Sequence, residues 1–292
     1  MLSVAVKDTV FMNLGVKRPI PVRGGKSIEF RRFERITVTA GSYTLTEGTP
    51  PTETNATVSQ VVATISQYGM YSRLTDLLTL QSYDPIIAEY SEKFGLAMAE
   101  AVDIVVRNVL SGATTIQYAD TAHQVGTSGT GSVGSGNYLD AAELLEAKRT
   151  LRRNGARPPF KCLIHPDNTK DLMEDPDIRD DFRWASPEAI KTGNIGMWMG
   201  IDFIETNLLR LRSSYGMSGA DTYEVLMFGN EYYGITELSA QSARMYVQKP
   251  GGVTDPLEQY STLGWKAALA VKILNEDFGV LVNCASSRSN AA

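Results

Sequence analysis

Glycines 129, 131 and 134 match the pattern G-x-G-x-x-G within the run 126–136, GTSGTGSVGSG. In a dinucleotide site this spacing joins a buried strand to a helix, so that backbone N–H groups and the helix N-terminus meet a pyrophosphate. The residues before it, IQYADTAHQV, do not read as a buried strand. The local repetition of Gly, Ser and Thr satisfies many patterns by composition alone, and the run reads as a flexible segment. No lysine follows the glycines at the spacing of a phosphate-cradling P-loop.

Other candidate groups fare similarly. Glu174, Asp175, Asp177, Asp180 and Asp181 form an acidic run without the ordered spacing of a calcium loop, and they read as a solvated surface or as partners for ion pairs between subunits. Cys162 lies near His165, but a zinc site takes three or four ligands at matched spacing. Only two histidines, His123 and His165, are available for acid–base work. No serine sits in a G-x-S-x-G elbow. Two arginine clusters remain. Arg31, Arg32 and Arg35 are interrupted by Glu29 and Glu34, whereas Arg149, Arg152, Arg153 and Arg157 collect at the end of a predicted helix, where the dipole favours cations. Either cluster could contact phosphates, but ion pairing between subunits is the stronger reading. No catalytic constellation emerges, and neither a cofactor nor a metal is expected.

The elements that would position these residues look incomplete in a monomer. Residues 1–26 show no period, and read as a frayed terminus or as an arm that gains order only by lying on something else. Two extended runs follow, 27–40 and 57–72, joined by GSYTLTEGTPPTETN. Ile28, Phe30, Ile36 and Val38 share one parity, while the second run has apolar residues on both faces. A two-stranded hairpin is marginal alone, so this one must lie on its own domain or on a neighbour.

The chain's longest pattern comes next. Apolar or small residues recur over 83–112 at Ile87, Tyr90, Phe94, Met98, Ala101, Val105 and Val109, the spacing of one helix face. Asp84 reads as the cap, Pro85 as the first helical residue, and Glu89–Lys93 and Asp103–Arg107 as i,i+4 ion pairs. Such a helix is on the order of 40 Å long, well beyond the usual ~10–14 residues. A second helix is predicted over 138–154, with Asp140 near its start, Leu144, Leu145, Lys148 and Leu151 at helical spacing, and Gly155 at its end. Residues 160–165 read as a strand, 168–174 and 186–193 as short helices, and 195–206, 223–229 and 244–248 as strands. The end of the chain reads as a terminal hairpin, 265–274 with 279–286, turning at Asn275-Glu276-Asp277. Without a regular βαβ rhythm the class is α+β.

Composition agrees. The 292 residues suffice for one large domain or two smaller ones. With 43% hydrophobic and 21% charged residues the chain reads as a folded, soluble protein. A net charge of −5 argues against a strongly basic nucleic-acid binder. Cys162 and Cys284 need not pair and fit a reducing compartment. The N-terminal residues suggest no signal peptide, and no transmembrane span is expected.

The hairpin phrases TEG…ISQYGMYSRLTD, the long helix and the ending LGWKAALAVKIL together resemble the major capsid proteins of tailed double-stranded DNA phages with the HK97-like fold. The resemblance implies an N-terminal arm (1–26), an extended loop reaching over an adjacent subunit (27–75), a peripheral domain (76–158) with a spine helix (84–111), an axial domain (159–258), and a return to the peripheral domain (259–292). It further implies assembly with copies of itself into pentamers and hexamers of an icosahedral virion capsid, in the host cell cytoplasm. Scaffolding, portal and decoration proteins and packaged double-stranded DNA are the expected partners, with no membrane and no enzymatic activity. Arg31, Arg32, Arg35, Tyr43 and Glu47 on the hairpin, and Arg149, Arg152 and Arg153 on the second helix, are the candidates for contact between subunits. An encapsulin-like compartment, and a nucleotide-binding enzyme using 129–134, are the alternatives.

Overall fold

Two large sheets bridged by one long helix, with a separate two-stranded ribbon, make up the fold. The computed structural model describes residues 9–20, 25–38, 43–49, 53–82, 85–119, 125–126, 133–185, 196–237, 243–251 and 257–288. The elements begin with α1 (Phe11–Leu14), β1 (Val16–Lys17), β2 (Ser27–Phe33), β3 (Val58–Thr64), β4 (Ser66–Thr75), α2 (Asp76–Gln81) and α3 (Ile86–Leu110). They continue with β5 (Ile116–Tyr118), β6 (Val125–Gly126), α4 (Ala141–Arg153), β7 (Phe160–Ile164), α5 (Pro166–Glu174) and α6 (Pro176–Ala185). The remainder is strand: β8 (Met197–Trp198), β9 (Ile201–Glu205), β10 (Leu211–Arg212), β11 (Thr222–Phe228), β12 (Tyr233–Glu237), β13 (Ala243–Gln248), β14 (Tyr260–Ile273) and β15 (Gly279–Cys284).

The five-stranded sheet is built on β14. Along one edge β14 pairs with β12 and β13, along the other with β4, and β1 adds to β12 in parallel. The alternation read in the sequence places Trp265, Ala267 and Leu269 on one face, against Phe94, Met98, Ala101, Val102 and Val105 of α3. The eight-stranded sheet runs β6-β5-β15-β11-β7-β9-β8, with β10 on β11. One of its faces is covered by Leu144, Ala147 and Leu151 of α4, Leu172 of α5 and Ile178 of α6. The other face meets Val106 and Leu110 at the end of α3, together with Phe11 of α1. Every residue of β11 and β15 is buried.

Several expectations are corrected. The run 57–72 is two strands that part at Ile65: β3 pairs with β2, and β4 with β14. Apolar residues on both faces follow from this, because the two halves pack on different surfaces. The first run ends at Phe33 rather than 40, leaving Ile36 and Val38 exposed beyond the ladder. The expected terminal hairpin does not form. β14 and β15 follow each other through a tight turn at 276–278 but enter different sheets. β15, apolar but for Asn283, is covered on both faces, whereas β14 alternates from Thr262 to Ala267. Consequently the sheets draw strands across the sequence ranges of the expected domains: β5 and β6 join β7 and β15, while β12 and β13 join β4 and β14. The segment IQYADTAHQV contains a strand after all, Ile116–Tyr118, parallel to β15. α6 arises within the acidic run, and β12 within residues that carried no assignment. The predicted helix 186–193 and His123 lie outside the described residues.

The long helix begins one residue later than expected. The Pro85 carbonyl accepts from Ala88 and Glu89 N–H, which makes Pro85 the cap, and Asp84 lies outside the described residues. Neither predicted ion pair describes its polar residues. Lys93 lies 3.8 Å from Glu92. Arg107 donates to the Leu208 carbonyl at 2.9 Å. Asp103 is fully buried and accepts the N–H groups of Val10, Phe11 and Met12 at 2.6, 3.1 and 2.9 Å. Tyr233 Oη donates to the Phe11 carbonyl at 2.6 Å. Residues 9–20 therefore dock on their own subunit and need no neighbour for order. Burial raises the Asp103 pKa, and the three N–H donors oppose that shift.

Candidate assembly interface

The β2–β3 hairpin has two unlike faces. Phe30, Ile28, Val61 and Ala63 pack with Ala270 and Leu274 and anchor its base. The opposite face carries Phe33 beside Val58 and Glu29 beside Val62. Phe33, Val58 and Val62 are 75%, 43% and 49% exposed. Apolar side chains on a narrow two-stranded ribbon are an aggregation hazard unless a partner covers them. The predicted arginines decorate this ribbon. Arg31 pairs with Glu29 at 3.0 Å and Arg32 with Glu34 at 2.5 Å, while Arg35 lies exposed past the strand end. A hydrogen bond from Ser59 Oγ, followed by Arg32, holds the Glu34 carboxyl below its ordinary range.

Beyond the ribbon, Thr46 and Thr49 bridge across a tight turn, with Thr49 N–H donating to the Thr46 carbonyl at 3.1 Å. Gly48 takes φ +80° at the third position, which only glycine adopts readily, and Glu47 occupies the corner before it. Tyr43 and Leu45 lead into the turn, 69% and 72% exposed.

A second surface escaped the sequence reading. On the five-stranded sheet, the face away from α3 carries Gln67, Gly69, Tyr71 and Arg73 of β4, Thr262, Gly264 and Lys266 of β14, and Arg244, Tyr246 and Gln248 of β13, matched in register. Gly69 and Gly264 let the strands present bare backbone. A Cβ at Gly69 would meet the Trp265 carbonyl at 2.7 Å, and one at Gly264 the Met70 carbonyl at 2.9 Å. The resulting trough measures about 660 Å³, and Lys249 and Tyr260 also line it. The Arg73 guanidinium lies 5.0 Å from the Tyr260 ring centroid. The period-two pattern Gln67-Gly69-Tyr71-Arg73 was the available signal, but it points nowhere until β4 is known to pair with β14.

The remaining arginines lie on α4, which packs on the other sheet. Arg149 pairs with Glu146 at 2.5 Å, and Arg152 and Arg153 are exposed in the last turn.

The chemical candidates find structural employment. Asp140 Oδ1 accepts from Glu143 N–H at 2.8 Å and Asp175 Oδ2 from Ala141 N–H at 2.8 Å. Two carboxylates thus occupy the α4 N-terminus, where a pyrophosphate would have to bind. Glycines 129 and 131 lie outside the described residues, and Gly134 bonds to the Asn137 side chain instead. His165 caps α5, its Nδ1 accepting from Asp167 N–H at 3.2 Å. Burial holds its pKa below the ordinary histidine value. Cys162 is fully buried, and its thiol pKa is pushed up by desolvation. Among the described residues no group of three or more His, Cys, Asp or Glu could hold a metal ion. Nor is any described helix long and apolar enough to cross a membrane.

A phage capsid protein family model matches residues 21–248, most of the chain, from before the hairpin to the end of β13. The chain belongs to the phage capsid protein family. This capsid protein also shares its fold with solved phage shells. The capsid of cyanophage P-SCSP1u is 18% identical at a TM-score of 0.74, with 98% of this chain and 91% of that one covered. The capsid of Ralstonia phage GP4 is 12% identical at 0.74, covering 100% and 95%. The capsid of Helicobacter pylori bacteriophage KHP30 is 11% identical at 0.74, covering 98% and 93%. No curated protein matches the chain. The fold is thus the HK97-like α+β capsid fold, and the role is structural, that of a subunit of an icosahedral phage shell. The family match favours this over a cargo compartment, and the capped α4 N-terminus disfavours a nucleotide site.

Proposed function

We propose that this capsid protein assembles through pentamers and hexamers into the closed shell of a virion, in the host cell cytoplasm, around double-stranded DNA, with scaffolding, portal and decoration proteins as further partners. The observation that carries the reading is the exposed apolar face of the β2–β3 ribbon, Phe33, Val58 and Val62, which needs a covering surface and is left open by the described residues. In this reading the ribbon and its tip are the extended loop, with Arg31, Arg32, Arg35, Tyr43 and Glu47 at the subunit boundary. α3 and the five-stranded sheet act as the peripheral domain. The eight-stranded sheet with α4–α6 acts as the axial domain, where Arg149, Arg152 and Arg153 face neighbouring copies.

The test is electron microscopy of particles formed by the full chain and by a Phe33→Asp/Val62→Asp variant. The wild type should yield closed shells. The variant should remain folded by circular dichroism and yield few shells. Normal shell yield from the variant would remove the ribbon face from the interface.

A further inference from the structure

The trough on the five-stranded sheet has a cationic floor, with the Glu258 carboxylate beside Gly251 at its rim. Its face presents Arg73, Arg244 and Lys266, with Lys249 at the rim, and no acidic residue among the β4, β13 and β14 positions that point there. Among the described residues none of these four cations forms an ion pair. Arg244 and Lys266 stand directly opposite each other in register. Like charges in that position destabilise a sheet, a cost that an anionic occupant would offset.

The hairpin tip is the complement. From residue 36 to residue 72 the only charged residues are Glu47 and Glu53. Glu47 stands at the corner of a formed turn, flanked by the exposed Tyr43 and Leu45, which suit Tyr71 and Tyr246 in the trough wall. No described residue of the tip lines its own trough. β3 leads from the tip to Ile65 and β4 leads on from there, each held by a different partner strand. Tip and trough are thus carried by strands that part at Ile65. At ~3.3 Å per residue, the stretch from Val58 to Tyr71 follows a path of about 40 Å.

We infer that the acidic turn around Glu47 of one copy docks in the Arg73–Lys266 trough of a second copy. This rests on the self-assembly reading and adds the landing site and its chemistry.

A cysteine pair tests it. Full-length chain carrying Glu47→Cys and Gln248→Cys is assembled into shells and oxidised. Cys162 and Cys284 are fully buried and do not compete. The expected result is a ladder of linked subunits on non-reducing gels, collapsed by reduction and absent from either single variant. Shells without a ladder overturn the docking and leave the assembly reading standing. A wild-type chain that never forms shells overturns both.

Charge reversal supplies the second arm. Arg73→Glu with Lys266→Glu should raise the concentration for half-assembly by about tenfold. Adding Glu47→Lys and Glu53→Lys should bring it back to within about threefold. Reversed sets that are no better together than apart overturn the proposal. So does a wild-type subunit that retains a DNA oligonucleotide through Arg73 and Lys266, which would assign the trough to nucleic acid.

Discussion

The two sheets of this subunit solve opposite problems. The eight-stranded sheet is covered on both faces, by α4–α6 on one side and by α1 and the end of α3 on the other, and its central strands β11 and β15 are buried throughout. The five-stranded sheet is covered by α3 on one face, and on the other only beside β12, where the ribbon base packs on Ala270. Its other face is cationic and troughed, and β13 is exposed at every position. The first is a stable core, complete in one chain. The second leaves a face open, which the proposed docking would fill. A shell subunit needs both, because it must fold before it finds neighbours and yet keep surface for them.

The sharpest way to break this contrast is a matched pair of truncations, read by urea unfolding of dissociated subunits. Phe228→Ala, in a fully buried ring cluster with Tyr232 and Tyr233, should cost about 3–5 kcal/mol. Tyr71→Ala, on the bare face, should stay within about 0.5 kcal/mol. Equal losses would mean that the five-stranded sheet is as closed as its partner.

Next in size is Asp103→Ala, which strands the N–H groups of residues 10–12 and should cost about 3 kcal/mol. Faster proteolysis within residues 9–20 would accompany it. Unchanged stability would show that the arm is not fastened through Asp103.

Phe94→Ala falls below a full core truncation. Its ring is only partly buried, against Trp265, so about 2 kcal/mol is expected. A loss of 4 kcal/mol or more would place it in a closed core.

The smallest effect concerns pH. Burial depresses the His165 pKa in the folded state, so the unfolded chain binds the proton more readily. Stability from the neutral ring is present above the ordinary value of about 6.5 and is lost as pH falls from there through the depressed folded value. His165→Gln should flatten the unfolding midpoint across that window. An equally steep profile would assign the dependence to other groups.

Particular residues show what was legible. The β14 alternation, Trp265-Ala267-Leu269, was readable because one face packs and the other does not, and strand parity records that difference directly. Asp140 as the α4 cap was readable because capping acts over three residues, and its Oδ1 takes the Glu143 N–H. Asp103 was misread because an acid four residues before an arginine is the usual sign of a surface pair, and only the arrival of α1, more than ninety positions away in sequence, makes it an internal cap. The ribbon and its exposed arginines were recognised. The trough was not, since its cations come from three strands that meet only in the sheet.

By itself, then, the sequence determined the local elements, the α+β class, the capsid resemblance and the lack of a catalytic constellation, because these depend on periodicity, capping and composition within short windows. The tertiary structure alone decided that β14 and β15 part company, that the second run breaks at Ile65, and that Arg73, Arg244 and Lys266 share one face. Strand pairing is a long-range choice. It is set by which faces can be buried together, and no stretch of the chain carries that information alone.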